Sequence, residues 1–168
     1  MRGPQAVGED PPQGGRGPGI DVAVTRAPTL ARLPLAAAGV QRLARFVLSR
    51  EGVPHASLVF AFVDRRKIAL VHRRLTGVAG PTDIVTLQHA RQAPGAPVVG
   101  EVWIAPDVAR ENARRFGTTV REECRRLVVH GVLHTLGWKH PATAERETSA
   151  MWRRQERLLR DASRRGIA

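Results

Sequence analysis

The chain has a single cysteine, Cys124, in 168 residues, so no intramolecular disulfide can staple it and a reducing compartment is the expected setting. It has no apolar run of about 18 residues, the length a helix needs to cross a bilayer, so no membrane span is expected. Its first residues carry charge but no hydrophobic stretch; a secretory signal is therefore not expected, and the cytoplasm is the expected location. No internal repeat is visible. Acidic residues are few, 15 Asp and Glu against 27 Lys and Arg, which leaves a net charge of +12. Lysine is scarce as well: Lys67 and Lys139 are the only two, and the rest of the positive charge is arginine. The first 19 residues add nothing to the excess, since Arg2 and Arg16 balance Glu9 and Asp10. The charge therefore belongs to the folded part and points to a polyanionic partner such as nucleic acid.

The length suits one domain with a real core, and the hydrophobic fraction of 42% is ordinary for a globular protein. Residues 1–19 are rich in Gly and Pro with almost nothing to bury, which predicts a disordered tail. From Ile20 the pattern changes. Ile20, Val22 and Val24 alternate as in a half-buried strand, and Val40, Leu43 and Val47 keep the spacing of a helix over about 34–51 that stops before Gly52 and Pro54. Leu58, Phe60 and Phe62 predict a second strand, and a basic helix with Arg65, Arg66, Lys67, Arg73 and Arg74 follows over about 65–75. Asp83–Leu87 and Val98–Ile104 predict two more strands across a Gly/Pro loop at 90–97. Pro106 opens a helix to about Arg115, and Thr119 with Glu122 forms a capping box for the next. A last helix is expected over about 143–165 with Met151, Leu158 and Leu159 as its apolar side. The expected class is α+β, a small mixed sheet of about four strands packed with about five helices in a single domain over 20–165.

The most informative segment is His130-Gly131-Val132-Leu133-His134-Thr135-Leu136-Gly137-Trp138-Lys139-His140. Residues four apart on a helix are neighbours on one face, with Cβ atoms about 5–6 Å apart, so His130 and His134 can grip one ion. Gly137 can take a positive φ and stop the helix, after which the turning chain returns His140 to the same point. Three neutral imidazoles with a fourth position open is the pattern of a catalytic zinc site, one Zn2+ per chain. One class of metalloproteases shares this spacing but carries a glutamate general base directly after the first histidine. Here that residue is Gly131, which cannot move a proton, so phosphodiester hydrolysis by metal-activated water fits the motif and the charge better than peptide hydrolysis. His55, His72 and His89 lack comparable company, and His55 and His89 fall in expected loops.

The segment resembles the signature of the YbeY family of metal-dependent endoribonucleases, H-G-x-L-H-x-x-G-Y-D-H, matching at His130, Gly131, Leu133, His134, Gly137 and His140, with Trp138 in place of the Tyr. Pro81-Thr82-Asp83-Ile84-Val85-Thr86-Leu87 is similar to the family's P-T-D-V-L-S-F block, and Val99–Ile104 resembles L-G-D-I-x-I. Glu123 through Val129 resembles the E-L-x-x-L-x-V approach to the first histidine, and Met151 falls near a family Met in the last helix, so the likeness spans roughly residues 20–160. The resemblance implies zinc held by His130, His134 and His140 and hydrolysis of single-stranded RNA. It also implies a role in rRNA maturation, notably at the small-subunit 3′ end, and in ribosome quality control, with RNA and ribosomal particles as partners.

Four positions depart from the family pattern. Lys139 replaces an Asp beside the third histidine, His72 and Thr76 stand where the family often has Asn and Arg, and Leu87 replaces an aromatic. These departures leave open an alternative, an RNA- or ribosome-binding factor whose metal is structural. No residue is identified for proton transfer or substrate binding. Glu101 and Glu123 are candidates by chemistry, with an exposed helix carboxylate the expected reading of Glu123. Thr82 and Asp83 are expected to fix a turn by side-chain hydrogen bonds, Trp103 to sit in the core, and Trp138 to be the better base-stacking candidate. The basic residues at 65–74 are the first choice for a phosphate-tracking patch, and the arginines on one side of the last helix read equally as a further patch or as a solvated face.

Overall fold

The computed structural model describes residues 19–141 and 144–167. Apart from Gly19, the tail expected over 1–19 lies outside the described residues.

The strands are β1 (Ile20–Arg26), β2 (Ala56–Phe62), β3 (Ile84–Gln88) and β4 (Val98–Ile104), and they form one sheet in the order β1-β2-β4-β3. β1 pairs parallel with β2, and β2 parallel with β4, while β3 pairs antiparallel with β4 at the edge. The helices are α1 (Ala37–Arg50), α2 (Arg65–Thr76), α3 (Pro106–Arg115), α4 (Val120–Thr135) and α5 (Ala150–Arg164). This is the expected α+β class. Alternation sends Leu58, Phe60 and Phe62 of β2 and Val102 and Ile104 of β4 into one core with Val40, Leu43 and Val47 of α1 and Leu127, Val128 and Val132 of α4. A smaller cluster on the opposite face packs Ile68 of α2 against Val63, Val85 and Ala105. Cys124 belongs to the main core, fully buried, and burial beside the Glu123 carboxylate pushes its thiol up to about 12. It is a neutral core residue.

The last helix differs from expectation. Residues 144–148 form a separate 3-10 turn, and α5 starts only at Ala150. Ser149 is extended, at φ −68° and ψ 158°, and its hydroxyl accepts the Trp152 N–H at 3.2 Å, so a serine cap breaks what looked like one continuous helix. The buried stripe is Met151, Gln155, Leu158 and Ala162, with Leu159 only half-buried.

α4 is the hub, since β3, β4, α1, α3 and α5 all pack on it. Its start is set by the capping box: the Thr119 hydroxyl accepts the Glu122 N–H at 3.1 Å, and the Glu122 carboxylate accepts the Thr119 N–H at 3.1 Å. These bonds, with two threonine hydroxyls at 2.8 Å, hold the Glu122 carboxyl below its ordinary range. A carboxyl depressed in the folded state adds stability that is complete above its unfolded pKa, about 4.3, and is lost as pH falls through the lower folded value. Two outcomes follow in urea titrations. Thr119→Ala should lower the unfolding free energy by about 1 kcal/mol at pH 7. The stability gap between wild type and Glu122→Gln should be flat above about pH 5 and close on acidification, as wild type loses its carboxylate.

Candidate metal centre

Two glycines set how close α4 lies to the sheet. A Cβ on Gly131 would stand 2.5 Å from Val102 Cγ1, and one on Gly100 would stand 2.6 Å from Thr135 Cγ2. The two contacts are in step. Four residues of helix rise about 6 Å and two residues of strand about 6.6 Å, so α4 runs antiparallel along β4 with its backbone against it. Gly131 faces the sheet, which turns His130 and His134 away from Val102 along a common edge of the helix.

α4 ends at Thr135, and Gly137 takes φ +90°. The Trp138 N–H then donates to the Leu133 carbonyl at 3.1 Å and the Gly137 N–H to the His134 carbonyl at 3.0 Å, the paired bonds of a Schellman closure. The reversal brings His140 back onto the helix. The three Nε2 atoms stand 3.0 Å (His134–His130), 3.2 Å (His134–His140) and 3.3 Å (His140–His130) apart. A tetrahedral ion with bonds of about 2.0–2.1 Å separates its nitrogens by about 3.3–3.4 Å, so the triangle fits such an ion. Among the described residues these three are the one group able to hold a metal.

The far nitrogens explain why the Nε2 atoms face inward. His130, 4% exposed, places Nδ1 2.8 Å from the Gln155 side-chain oxygen, and the Gln155 amide nitrogen donates to Glu156 at 3.3 Å, which orients the amide. An amide oxygen only accepts, so His130 Nδ1 carries the proton and its Nε2 offers a lone pair. His140 Nδ1 donates in the same way to the Pro141 carbonyl at 2.8 Å. Behind Gln155, Glu156 accepts from Arg126 at 2.6 Å, and Arg126 lies 3.6 Å from Glu123. Gln155 had no mark in the sequence beyond being a polar residue on the apolar stripe of an amphipathic helix.

The histidines form the floor of a groove of about 420 Å³ whose wall is Thr82, just before β3, and every second residue along β3 (Ile84, Thr86 and Gln88), with Trp138 and Lys139 opposite. The Trp138 indole N–H donates to Glu51 at 3.3 Å, which anchors the ring beside the histidines. Asp83 does what was expected of a turn residue and more. It accepts from the Thr82 hydroxyl at 3.3 Å and from the Asn112 amide at 3.0 Å, so it ties the strand entrance to α3, and it also lines the groove.

Other expected candidates lie elsewhere. Glu101 sits between Gly100 and Val102, which face α4, so it projects from the opposite side of the sheet, where it meets His89 at 3.3 Å. It is no proton-transfer group for this site. Trp103 shares that far face and packs on the Ile68 cluster. Glu123 is not an exposed helix carboxylate: it is 6% exposed, because α4 is covered on this side as well. Thr76 donates its hydroxyl to the His72 carbonyl at 2.7 Å and accepts the Val78 N–H at 3.1 Å, so it closes α2. His72 Nδ1 lies 3.0 Å from the Gly80 carbonyl, which joins the end of α2 to the segment leading into the groove.

The profile of the family described as Endoribonuclease YbeY matches residues 32–163. The chain belongs to the YbeY family. An Endoribonuclease YbeY of Micrococcus luteus is 37% identical over 125 residues, covering 70% of this chain and 78% of the relative. One of Acidothermus cellulolyticus is 35% identical over 136 residues, covering 69% and 83%. The solution structure of a Thermotoga maritima protein shares the fold, with a TM-score of 0.56 at 20% identity over 83% of this chain and 87% of that one. Against this YbeY background the Gln155 contact yields a specific expectation. Gln155→Met, which keeps the volume and removes the acceptor, should weaken zinc binding about 10- to 100-fold in competition with a chromophoric chelator, while Gln155→Glu should hold it near wild type.

Proposed function

We propose that this protein is a zinc-dependent endoribonuclease specific for single strands, acting in rRNA maturation at the small-subunit 3′ end and in ribosome quality control. The observation that carries the reading is the set of three imidazole nitrogens within 3.3 Å of one another on the floor of an open groove, in a chain of net charge +12. His130, His134 and His140 hold one Zn2+, and the domain spans residues 20–165. A divalent ion in that position supplies Lewis-acid charge to a phosphoryl oxygen and brings the pKa of a water toward about 7.

The chain's own residues do the rest. Gln155 and the Pro141 carbonyl keep the outer nitrogens of two rings protonated. Lys139, on the groove wall where the family carries an Asp, meets a backbone phosphate. Arg66, Lys67, Arg73 and Arg74 of α2 take part in no ion pair among the described residues and are exposed, a positive patch on the helix whose end His72 ties to the segment leading into the groove. A peptidase mechanism has no place for its base, since a side chain at 131 would enter Val102. RNA and ribosomal particles are the partners and the cytoplasm the location, consistent with a lone, buried cysteine. No helix among the described residues is long and apolar enough to cross a membrane.

His134→Ala should reduce cleavage of single-stranded RNA by about three orders of magnitude, some 4 kcal/mol of transition-state stabilisation, while RNA affinity changes little. Equal cleavage by the variant would refute the proposal. If wild type also failed to cut, and chelation lowered only the melting temperature, the metal would be structural and the protein an RNA-binding factor. For the basic helix, Arg73→Ala with Arg74→Ala should make the slope of log affinity against log salt shallower by about 1.4, as expected for two lost contacts to single-strand phosphates.

A further inference from the structure

A second cavity, of about 320 Å³, lies on the other side of the His130 ring, and it shares His130 and Asp83 with the metal groove. Its volume is at the low end for small-molecule pockets, suited to one heterocycle. At its lip stands Phe116. The chain has four phenylalanines, three tryptophans and no tyrosine, and Phe116 alone among them has an exposed ring, at 65%. The ring is not on a loose loop. Phe116 ends α3, where Thr118 N–H donates to the Ala113 carbonyl at 2.9 Å and Gly117 takes φ +66°, the same closure that sets Gly137. The opposite wall is equally fixed. The Arg126 guanidinium stands 5.4 Å from the Trp152 ring centroid and is tied to Glu156 at 2.6 Å.

The charge of this cavity runs against that of the chain. Among the described residues of the lining, Asp83, Glu123 and Glu147 contribute carboxylates and Arg126 a guanidinium, while Arg115 stands 5.8 Å from the Phe116 ring centroid at the lip, so inside the cavity acidic groups outnumber basic ones and a backbone phosphate is disfavoured. What fits an aromatic lip and an acceptor-rich interior is an uncharged planar ring that bears N–H donors. Resting on the endoribonuclease reading above, we propose that this cavity is a nucleobase subsite: an unpaired base next to the scissile phosphate stacks on Phe116 and turns its amino or imino edge toward the carboxylates, one imidazole's width from the metal-binding nitrogens. Single-stranded RNA is recognised by such splayed, stacked bases, and a base held here would favour strands over duplexes.

The test combines a protein variant with an RNA variant. Short fluorescein-labelled single-stranded RNAs carry one abasic nucleotide, placed in turn on each side of the cleaved bond. Phe116→Ala should weaken binding and raise KM by about 5- to 150-fold, the range that stacking one base is worth, with an unchanged melting temperature. Phe116→Trp should restore binding, and Val99→Ala, an exposed apolar residue on the far sheet face, should do nothing. An abasic site at one flank should cost wild type the same factor and cost Phe116→Ala almost nothing more. Losses that simply multiply, or wild-type binding and KM in Phe116→Ala, would overturn the subsite while leaving the nuclease assignment intact. If wild type cuts no RNA, the nuclease reading fails, and the same series read by fluorescence anisotropy still decides the subsite.

Discussion

The site depends on one close contact, the backbone of α4 pressed against β4 at Gly131–Val102 and Thr135–Gly100. Without side chains at 131 and 100 the helix can sit low enough on the sheet for its histidine edge to clear the strand and open onto the groove beside β3. A side chain at either position would lift the helix, and interiors packed at crystal density transmit such shifts instead of absorbing them. The same contact determines chemistry by exclusion. The position that carries the general base in zinc peptidases is filled by the sheet, so an ion held here has to work without a glutamate from the next residue of the helix.

A second constraint runs outward from His130 through Gln155, Glu156 and Arg126. A polar side chain on the apolar stripe of α5 is costly unless its hydrogen bonds are made, and here both ends of the amide are used. The chain of contacts connects two elements. α4 supplies His130 and Arg126, α5 supplies Gln155 and Glu156, and the pairing keeps the imidazole in the tautomer that a metal requires. His130, held by these contacts, and Asp83 line both the metal groove and the acidic cavity, so the two depressions share a wall. Three carboxylates, Asp83, Glu123 and Glu147, line the acidic cavity in a chain of net charge +12, so its local charge opposes that of the chain.

Much of the fold was legible in the chain. Period-two alternation marked the first two strands, the segments Asp83–Leu87 and Val98–Ile104 read as the other two on either side of a Gly/Pro loop, and the Thr119–Glu122 box marked the start of α4 because capping is a local event settled within four residues. Gly137 was equally readable, since a positive φ at a helix end favours glycine on steric grounds alone. Where local chemistry competed with periodicity, the reading slipped: Ser149 interrupts an apparently continuous helical pattern, and its cap outweighs the spacing of the flanking residues. The burial of Glu123 was missed for a different reason. Helical spacing says which residues share a face but not how many neighbours crowd it, and α4 is covered on nearly every side.

The sequence by itself determined the strand and helix order, the α+β class, the excess of positive charge and the spacing that sets three histidines at a helix end, because these follow from contacts within a few residues. Only the tertiary structure decided which face of β4 each residue presents, and so removed Glu101 from the site. It alone supplied Gln155 as the partner of His130, across 25 positions of chain, and the second cavity beside it. Pairing register and helix docking depend on the packing of the whole core, and no window of a few residues contains that information.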